Sequence, residues 1–332
     1  MTPIALAKSS RGRRRRTVAG AALGLMALLS GCGSPRPAAV IAGDGVLCDI
    51  TRRLAGDGVT VECLLGPKDD PHRFQLSPAQ TRALRQARLV LINGYGLTPA
   101  LQRIPGAVPV AELAVPQSPV LAPEGHDAHH DHDSPPAEPA APVENGHHHG
   151  GRDPHVWHDP RQVAAMVRLV SRELQALPSE DTRRNGAIQR RERHMLQALA
   201  SLHSWNQRQF ATLPSERGRR TLATGHRAFA SLSRAYDLQE LPVVDALSSS
   251  DTLRPQALRQ VVERLRRDRI PSLFSEQWPA SRAMSRISAL SGVPLAPGAL
   301  RPDGRNAVPG ELGSDNGDVM GTLTDNTCLI VE

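Results

Sequence analysis

Apolar positions along this chain switch repeatedly between a period of two and a period near 3.6. Ala38 to Ala42 reads as a buried strand, Leu47, Ile50 and Leu54 fall on one face of a short helix, and Val59, Val61, Cys63 and Leu65 alternate as a half-buried strand does. Ser77-Pro78-Ala79-Gln80 starts a helix, with a serine N-cap, proline at the first helical position and glutamine placed to close a capping box. Arg88 to Asn93 is the next buried strand, stopped by Gly94, and Asp159-Pro160 opens a helix whose Val163, Met166, Val167, Val170 and Leu174 form one stripe. From Ser179 to Phe210 only Gly186 interrupts a helical pattern carried by Ile188, Met195, Leu196, Leu199 and Leu202. At 1.5 Å per residue that helix reaches roughly 45 Å, more than one lobe needs. A second alternating set follows: strand Thr221 to Thr224, helix Arg227 to Tyr236, strand Leu241 to Val244, helix Pro255 to Arg267, strand Ile270 to Phe274, helix Pro279 to Leu290 capped by Gly292, and strand Val293 to Ala296. Alternation of this kind makes parallel sheets covered by helices. The expected class is α/β, with two parallel-sheet lobes, residues 32–178 and 212–332, joined by a connecting helix over 179–211.

Two segments fit neither lobe. At the start, Arg11 and Arg13 to Arg16 precede the apolar run Val18 to Leu29, which is too short to span a bilayer as a stable helix. Residues 1–31 therefore read as a signal peptide, and Leu29-Ser30-Gly31-Cys32 looks like a bacterial lipobox, which implies cleavage before Cys32 and a lipid on its thiol. Within the first lobe, residues 115–152 are rich in proline, glycine and charge. Seven histidines there (His126, His129, His130, His132, His147, His148 and His149) stand among Glu124, Asp127, Asp131, Asp133 and Glu144. Such a composition buries too little apolar surface to order itself, and its neutral imidazoles are exposed metal ligands.

The leader changes the charge balance. Lys8, Arg11 and Arg13 to Arg16 account for six of the 40 basic residues, which leaves 34 against 33 acidic ones in the mature chain. Neither a basic patch nor enough aromatic residues (3%) remain to argue for nucleic acid. In an oxidising compartment Cys48 can pair with Cys63 across the first strand-helix-strand unit, leaving Cys328 unpaired.

The chemistry rests on three histidines, each a domain's length from the next: His72 in Asp70-Pro71-His72, His155 in Asp153-Pro154-His155-Val156-Trp157, and His226 in Thr224-Gly225-His226-Arg227-Ala228-Phe229. Their separation excludes a local zinc finger, so any shared site is tertiary. A mostly histidine site suits zinc better than a hard cation. His158 is expected to point away at the start of a helix, and His194 and His203 read as solvated positions on the connecting helix.

These motifs resemble the metal-binding lipoproteins that deliver zinc or manganese to ABC importers (the cluster A-I substrate-binding proteins), and within them the zinc-uptake, ZnuA-type members. Asp70-Pro71-His72 with Ser77-Pro78 is similar to the first ligand loop, Asp153 to Trp157 with Asp159-Pro160 to the second, and Thr224 to Phe229 with Tyr236 to the third; Phe274-Ser275-Glu276-Gln277 matches a further signature. The resemblance implies a metal site in the cleft between the lobes, with His72 and His155 from the first and His226 from the second. The fourth ligand it implies is Asp303 in Leu300-Arg301-Pro302-Asp303-Gly304, with water as the substitute, and Glu276 is expected to orient a ligand imidazole. A histidine at the third position and the His-rich insert favour Zn2+ over Mn2+. The implied protein is a monomeric, non-enzymatic zinc carrier, periplasmic or on the cell surface, held to a membrane by lipid and working with an ABC permease and its ATPase. A zinc hydrolase and a metal buffer or adhesin stay open as alternatives, although no His-Glu-x-x-His helix is present. Ordinary imidazoles titrate near ~6.5, so metal affinity is expected to fall below about pH 6.

Overall fold

The computed structural model describes residues 39–66, 69–121, 151–244, 255–303 and 318–332. The signal peptide, Cys32 and the seven insert histidines lie outside the described residues.

The first lobe is built on four parallel strands in the order β2-β1-β3-β4: β1 (Val40–Ala42), β2 (Val61–Cys63), β3 (Leu89–Ile92) and β4 (Val108–Pro109). The second repeats the plan as β6-β5-β7-β8, from β5 (Thr221–Thr224), β6 (Gln239–Pro242), β7 (Leu273–Ser275) and β8 (Leu295–Ala299), again all parallel. In both sheets the chain steps to one side of its first strand and then to the other, so the carboxyl ends of β1/β3 and β5/β7 are the switch points where open α/β sheets leave a crevice.

Helix boundaries follow the capping chemistry. In α1 (Gly45–Ala55) the Asp44 carboxylate accepts the Leu47 N–H, and α2 (Pro78–Gln86) has the complete Ser77/Gln80 capping box with Pro78 at its start. Asp159 caps α4 (Pro160–Ala176), and Ser281 caps α8 (Arg282–Ser291), which ends on left-handed Gly292. The 27-residue α5 (Arg184–Phe210) begins in the first lobe's core through Ile188, Met195 and Leu199, and ends in the second, where Phe210 stacks on Tyr236. Cys48 and Cys63 form a disulfide tying α1 to β2, and Cys328 is free.

Several expectations need correction. The insert is narrower than 115–152, because Val115 is core and Val120 bridges Arg152 antiparallel, closing its base against the first lobe. The short β4 and α3 (Val110–Ala114) give too little periodic signal to be read from sequence. Helix α6 (Ala230–Tyr236) starts three residues later than expected. Its approach is held out of the helix by carboxylates: Glu276 accepts the Gly225 and His226 N–H groups, and Glu240 accepts that of Phe229. Beyond the second sheet, α9 (Val319–Val331) returns along α5. Its Val319 and Leu323 join the first lobe's core, while Leu329 and Ile330 pack on the second, so residues 212–332 do not form a lobe by themselves.

Candidate metal centre

Three of the four sequence-predicted site residues follow a strand's carboxyl end, and the fourth precedes a helix. His72 is in the loop after β2, His226 two residues after β5, Asp303 four residues after β8, and His155 just ahead of α4. The two Asp-Pro-His triplets share a local fold. Asp70 Oδ1 accepts the His72 N–H at 2.9 Å, and Asp153 Oδ1 accepts the His155 N–H at 2.9 Å, each aspartate turning the backbone two residues on.

The three imidazoles converge. One ring nitrogen from each of His72, His155 and His226 lies within 4.8 Å of the other two. His155 Nε2 and His72 Nε2 are 3.4 Å apart, and Asp303 Oδ1 lies 3.4 Å from His72 Nε2 and 3.6 Å from His155 Nε2. The His155 side chain is fully enclosed, whereas that of His226 is 32% exposed, so the cluster opens to solvent on the second-lobe side.

His155 is fixed by Asp153, whose role the sequence reading did not assign. Asp153 Oδ1 lies 3.0 Å from His155 Nδ1, and because a carboxylate only accepts, Nδ1 carries the proton and Nε2 faces the cluster. The other oxygen, Oδ2, accepts the N–H and hydroxyl of Ser231 at 3.2 and 3.0 Å, so the support of His155 comes partly from the second lobe. Asn93, at the end of β3, donates to the Pro154 carbonyl at 2.9 Å from below. The signal for Asp153 was present in its motif. Those for Ser231 and Asn93 were not, since both act across the fold.

Burial works against a charged His155, but its hydrogen bonds to Asp153 and Asp303, and their charge, push it up to about 9. Burial would raise Asp303, yet His155 and His72 hold it far below the usual carboxylate range. A further carboxylate stands nearby. Asp44, capping α1, is pushed up to about 6 by burial, with the Asp303 charge adding to the effect.

Two further histidines make contacts that the sequence does not show. His158 stands outside the imidazole cluster, just ahead of α4, but it has a partner of its own: its buried Nε2 lies 2.8 Å from the Pro302 carbonyl, one residue before Asp303, and its ring packs on Phe229 at 4.7 Å. Burial, and then the charge on His155, pushes it down to about 4, so the ring is neutral. His203, read as solvated, has its Nδ1 3.1 Å from the Tyr236 hydroxyl, which Asn206 also reaches. Glu276 acts on the backbone of Gly225 and His226 and sits 3.8 Å from His226 Nδ1, beyond hydrogen-bond range of the ring.

Three imidazole nitrogens within 4.8 Å of one another, with a carboxylate oxygen beside two of them, are donors that could hold a cation. A family model described as ZnuA, zinc-uptake complex component A, periplasmic, matches residues 40–326. Among curated proteins, the chain is 23% identical over 274 residues to the metal ABC transporter substrate-binding lipoprotein SloC of Streptococcus mutans, covering 82% of this chain and 84% of that one. To the manganese ABC transporter substrate-binding lipoprotein PsaA of Streptococcus mitis it is 22% identical, covering 77% of each. The periplasmic zinc-binding protein TroA of Treponema pallidum shares the fold, with a TM-score of 0.69 at 23% identity over 89% of this chain and 98% of that one. The chain belongs to the ZnuA family and is an extracytoplasmic metal-binding, substrate-binding component of an ABC transporter, not an enzyme.

Proposed function

We propose that this protein captures Zn2+ outside the cytoplasm, with His72, His155, His226 and Asp303 as ligands, and delivers it to the permease and ATPase of an importer. The observation that carries this reading is the donor spacing. Zinc bonds of 2.0 to 2.1 Å arranged as a tetrahedron put neighbouring donors about 3.3 to 3.4 Å apart. The three spacings among His72 Nε2, His155 Nε2 and Asp303 Oδ1 are 3.4, 3.4 and 3.6 Å. His226, on the open side with a ring nitrogen within 4.8 Å of those of His72 and His155, is the fourth donor. Octahedral coordination at a bond length of about 2.2 Å would bring neighbouring donors nearer, to about 3.1 Å, and manganese favours oxygen over imidazole. PsaA is a manganese ABC transporter lipoprotein by name, and it is the ligand chemistry that favours zinc in this chain.

Lipid on Cys32 would keep the carrier at the membrane. Release is assigned to movement of the ligand loops rather than to a wide hinge, because α5 and α9 both run through the cores of the two lobes.

The test is a metal titration of the mature chain with stoichiometry, zinc against manganese, repeated with alanine at each ligand. One zinc bound tightly, preferred over manganese and weakened by each of His72→Ala, His155→Ala and His226→Ala, is the expected result. Equal or tighter manganese binding would refute the zinc reading, and an alanine variant of unchanged affinity would remove that residue from the site.

A further inference from the structure

The loop that carries Asp303 is clamped at two successive residues. Asn326 of α9 grips the Arg301 backbone from one side, accepting its N–H at 2.9 Å and donating to its carbonyl at 3.2 Å. From the other side the Pro302 carbonyl receives two first-lobe donors, Trp157 Nε1 at 3.0 Å and His158 Nε2 at 2.8 Å. Both donor residues are fully buried, and they follow His155 by two and three positions. A carbonyl only accepts, so the His158 proton sits on Nε2. His158 Nδ1 is buried and makes no hydrogen bond among the described residues.

One short segment of the first lobe thus supplies a ligand imidazole and, immediately after it, the donors that hold the backbone beside a ligand carboxylate of the second lobe. Of the two donors, His158 makes the shorter contact and its ring also packs on Phe229 of the second lobe. We infer that His158 is a positioning residue for metal binding, setting the place of Asp303 against His72 and His155 through the Pro302 carbonyl. This rests on the ligand set proposed above. His158 touches no metal; it fixes the distance across the cleft between a carboxylate from one lobe and two imidazoles from the other. Outer partners of this kind typically change metal affinity by about 10–100-fold.

The experiment compares zinc affinity, by chelator competition on the mature full-length chain, for wild type, His158→Phe, His158→Gln, Asp303→Ala and the double variant His158→Phe/Asp303→Ala. Phenylalanine keeps an aromatic ring beside Phe229 and removes the donor, whereas the glutamine amide can replace Nε2–H. His158→Phe should bind zinc about 10-fold or more weakly, His158→Gln should recover most of that loss, and His158→Phe should cost nothing further once Asp303 is alanine. Wild-type affinity in His158→Phe would overturn the inference. So would the same fold-loss in the Asp303→Ala background, because His158 would then act on packing and not through Asp303. If His158→Phe fails to fold, the Gln variant decides: a large loss there overturns the donor role. Should Asp303→Ala bind like wild type while the three histidine variants are weak, the inference falls and the histidine site stands. A wild-type chain that takes up no zinc would overturn the site itself.

Discussion

Metal uptake should be coupled to proton release near neutral pH, and His155 sets the size of the effect. Its ring is held at about 9 in the metal-free protein, because the carboxylates of Asp153 and Asp303 outweigh burial. Coordination needs the neutral ring. At pH 7 only about 1% of His155 is neutral, which costs roughly 100-fold in apparent affinity, or about 2.7 kcal/mol. From pH 8.5 to pH 7 that one group should weaken zinc binding by about 25-fold, whereas an ordinary histidine titrating near ~6.5 would contribute about 1.3-fold over the same interval. The onset therefore lies well above the pH 6 expected from ordinary imidazoles. Chelator competition across this range gives the slope, and calorimetry in two buffers of different ionisation enthalpy gives the proton count, which should be about one per zinc from His155 alone at pH 7. Replacement of Asp153→Asn removes the first of the contributions that raise the ring, so the slope should flatten. Affinity constant within about twofold from pH 8.5 to 7, with far less than one proton released, would refute the reasoning.

Stability of the metal-free protein should respond in the opposite sense. A raised folded-state value stabilises the fold fully below about 6.5, and the contribution, at most roughly 3 kcal/mol, is lost as pH rises through about 9. The metal-free unfolding midpoint should accordingly drop over that window, while saturation with zinc protects increasingly; a midpoint that rises from pH 6.5 to 9 contradicts it. At Gly225 a Cβ would stand 2.2 Å from Glu276 Oε2, so Gly225→Ala must displace the carboxylate that holds the His226 backbone. That variant should lose about 1–3 kcal/mol in denaturant unfolding and bind zinc more weakly, and wild-type behaviour in both would disprove the clamp. Reduction of Cys48–Cys63, which closes 15 residues, should cost about 3 kcal/mol of stability while leaving one tight zinc per chain. Loss of the tight site on reduction would show that the disulfide shapes the ligand loops.

Much of the architecture was legible because it is written locally. The capping box at Ser77, the Asp159-Pro160 start and the left-handed Gly292 each satisfy backbone groups within one turn, so residue type alone marks them. The apolar runs marked seven of the eight strands, β3 and β5 to within a residue and the other five two or three residues off at one end or both. Missing were β4 and α3, too short to show a period, and α9, whose apolar residues divide between two lobes and so form no single stripe. The Asp-Pro-His triplets declared a turn and a candidate ligand together, since each aspartate bonds the amide two residues ahead.

By itself, then, the sequence determined the two-sheet plan, the connecting helix and the chemical identity of the donors, all of which depend on neighbours a few positions apart. Tertiary structure alone decided how those donors act. It brought His72 and His155, a domain apart in the chain, to 3.4 Å, and it put Asp303 against both. Ser231 was added behind Asp153, and His158, at the expected helix start, was set against the Pro302 carbonyl. The Ser231–Asp153 contact spans 78 residues, His155–His72 83 and His158–Pro302 144. No periodic pattern records them, because a side chain's partner across a cleft is chosen by the packing of whole lobes and not by the residues beside it.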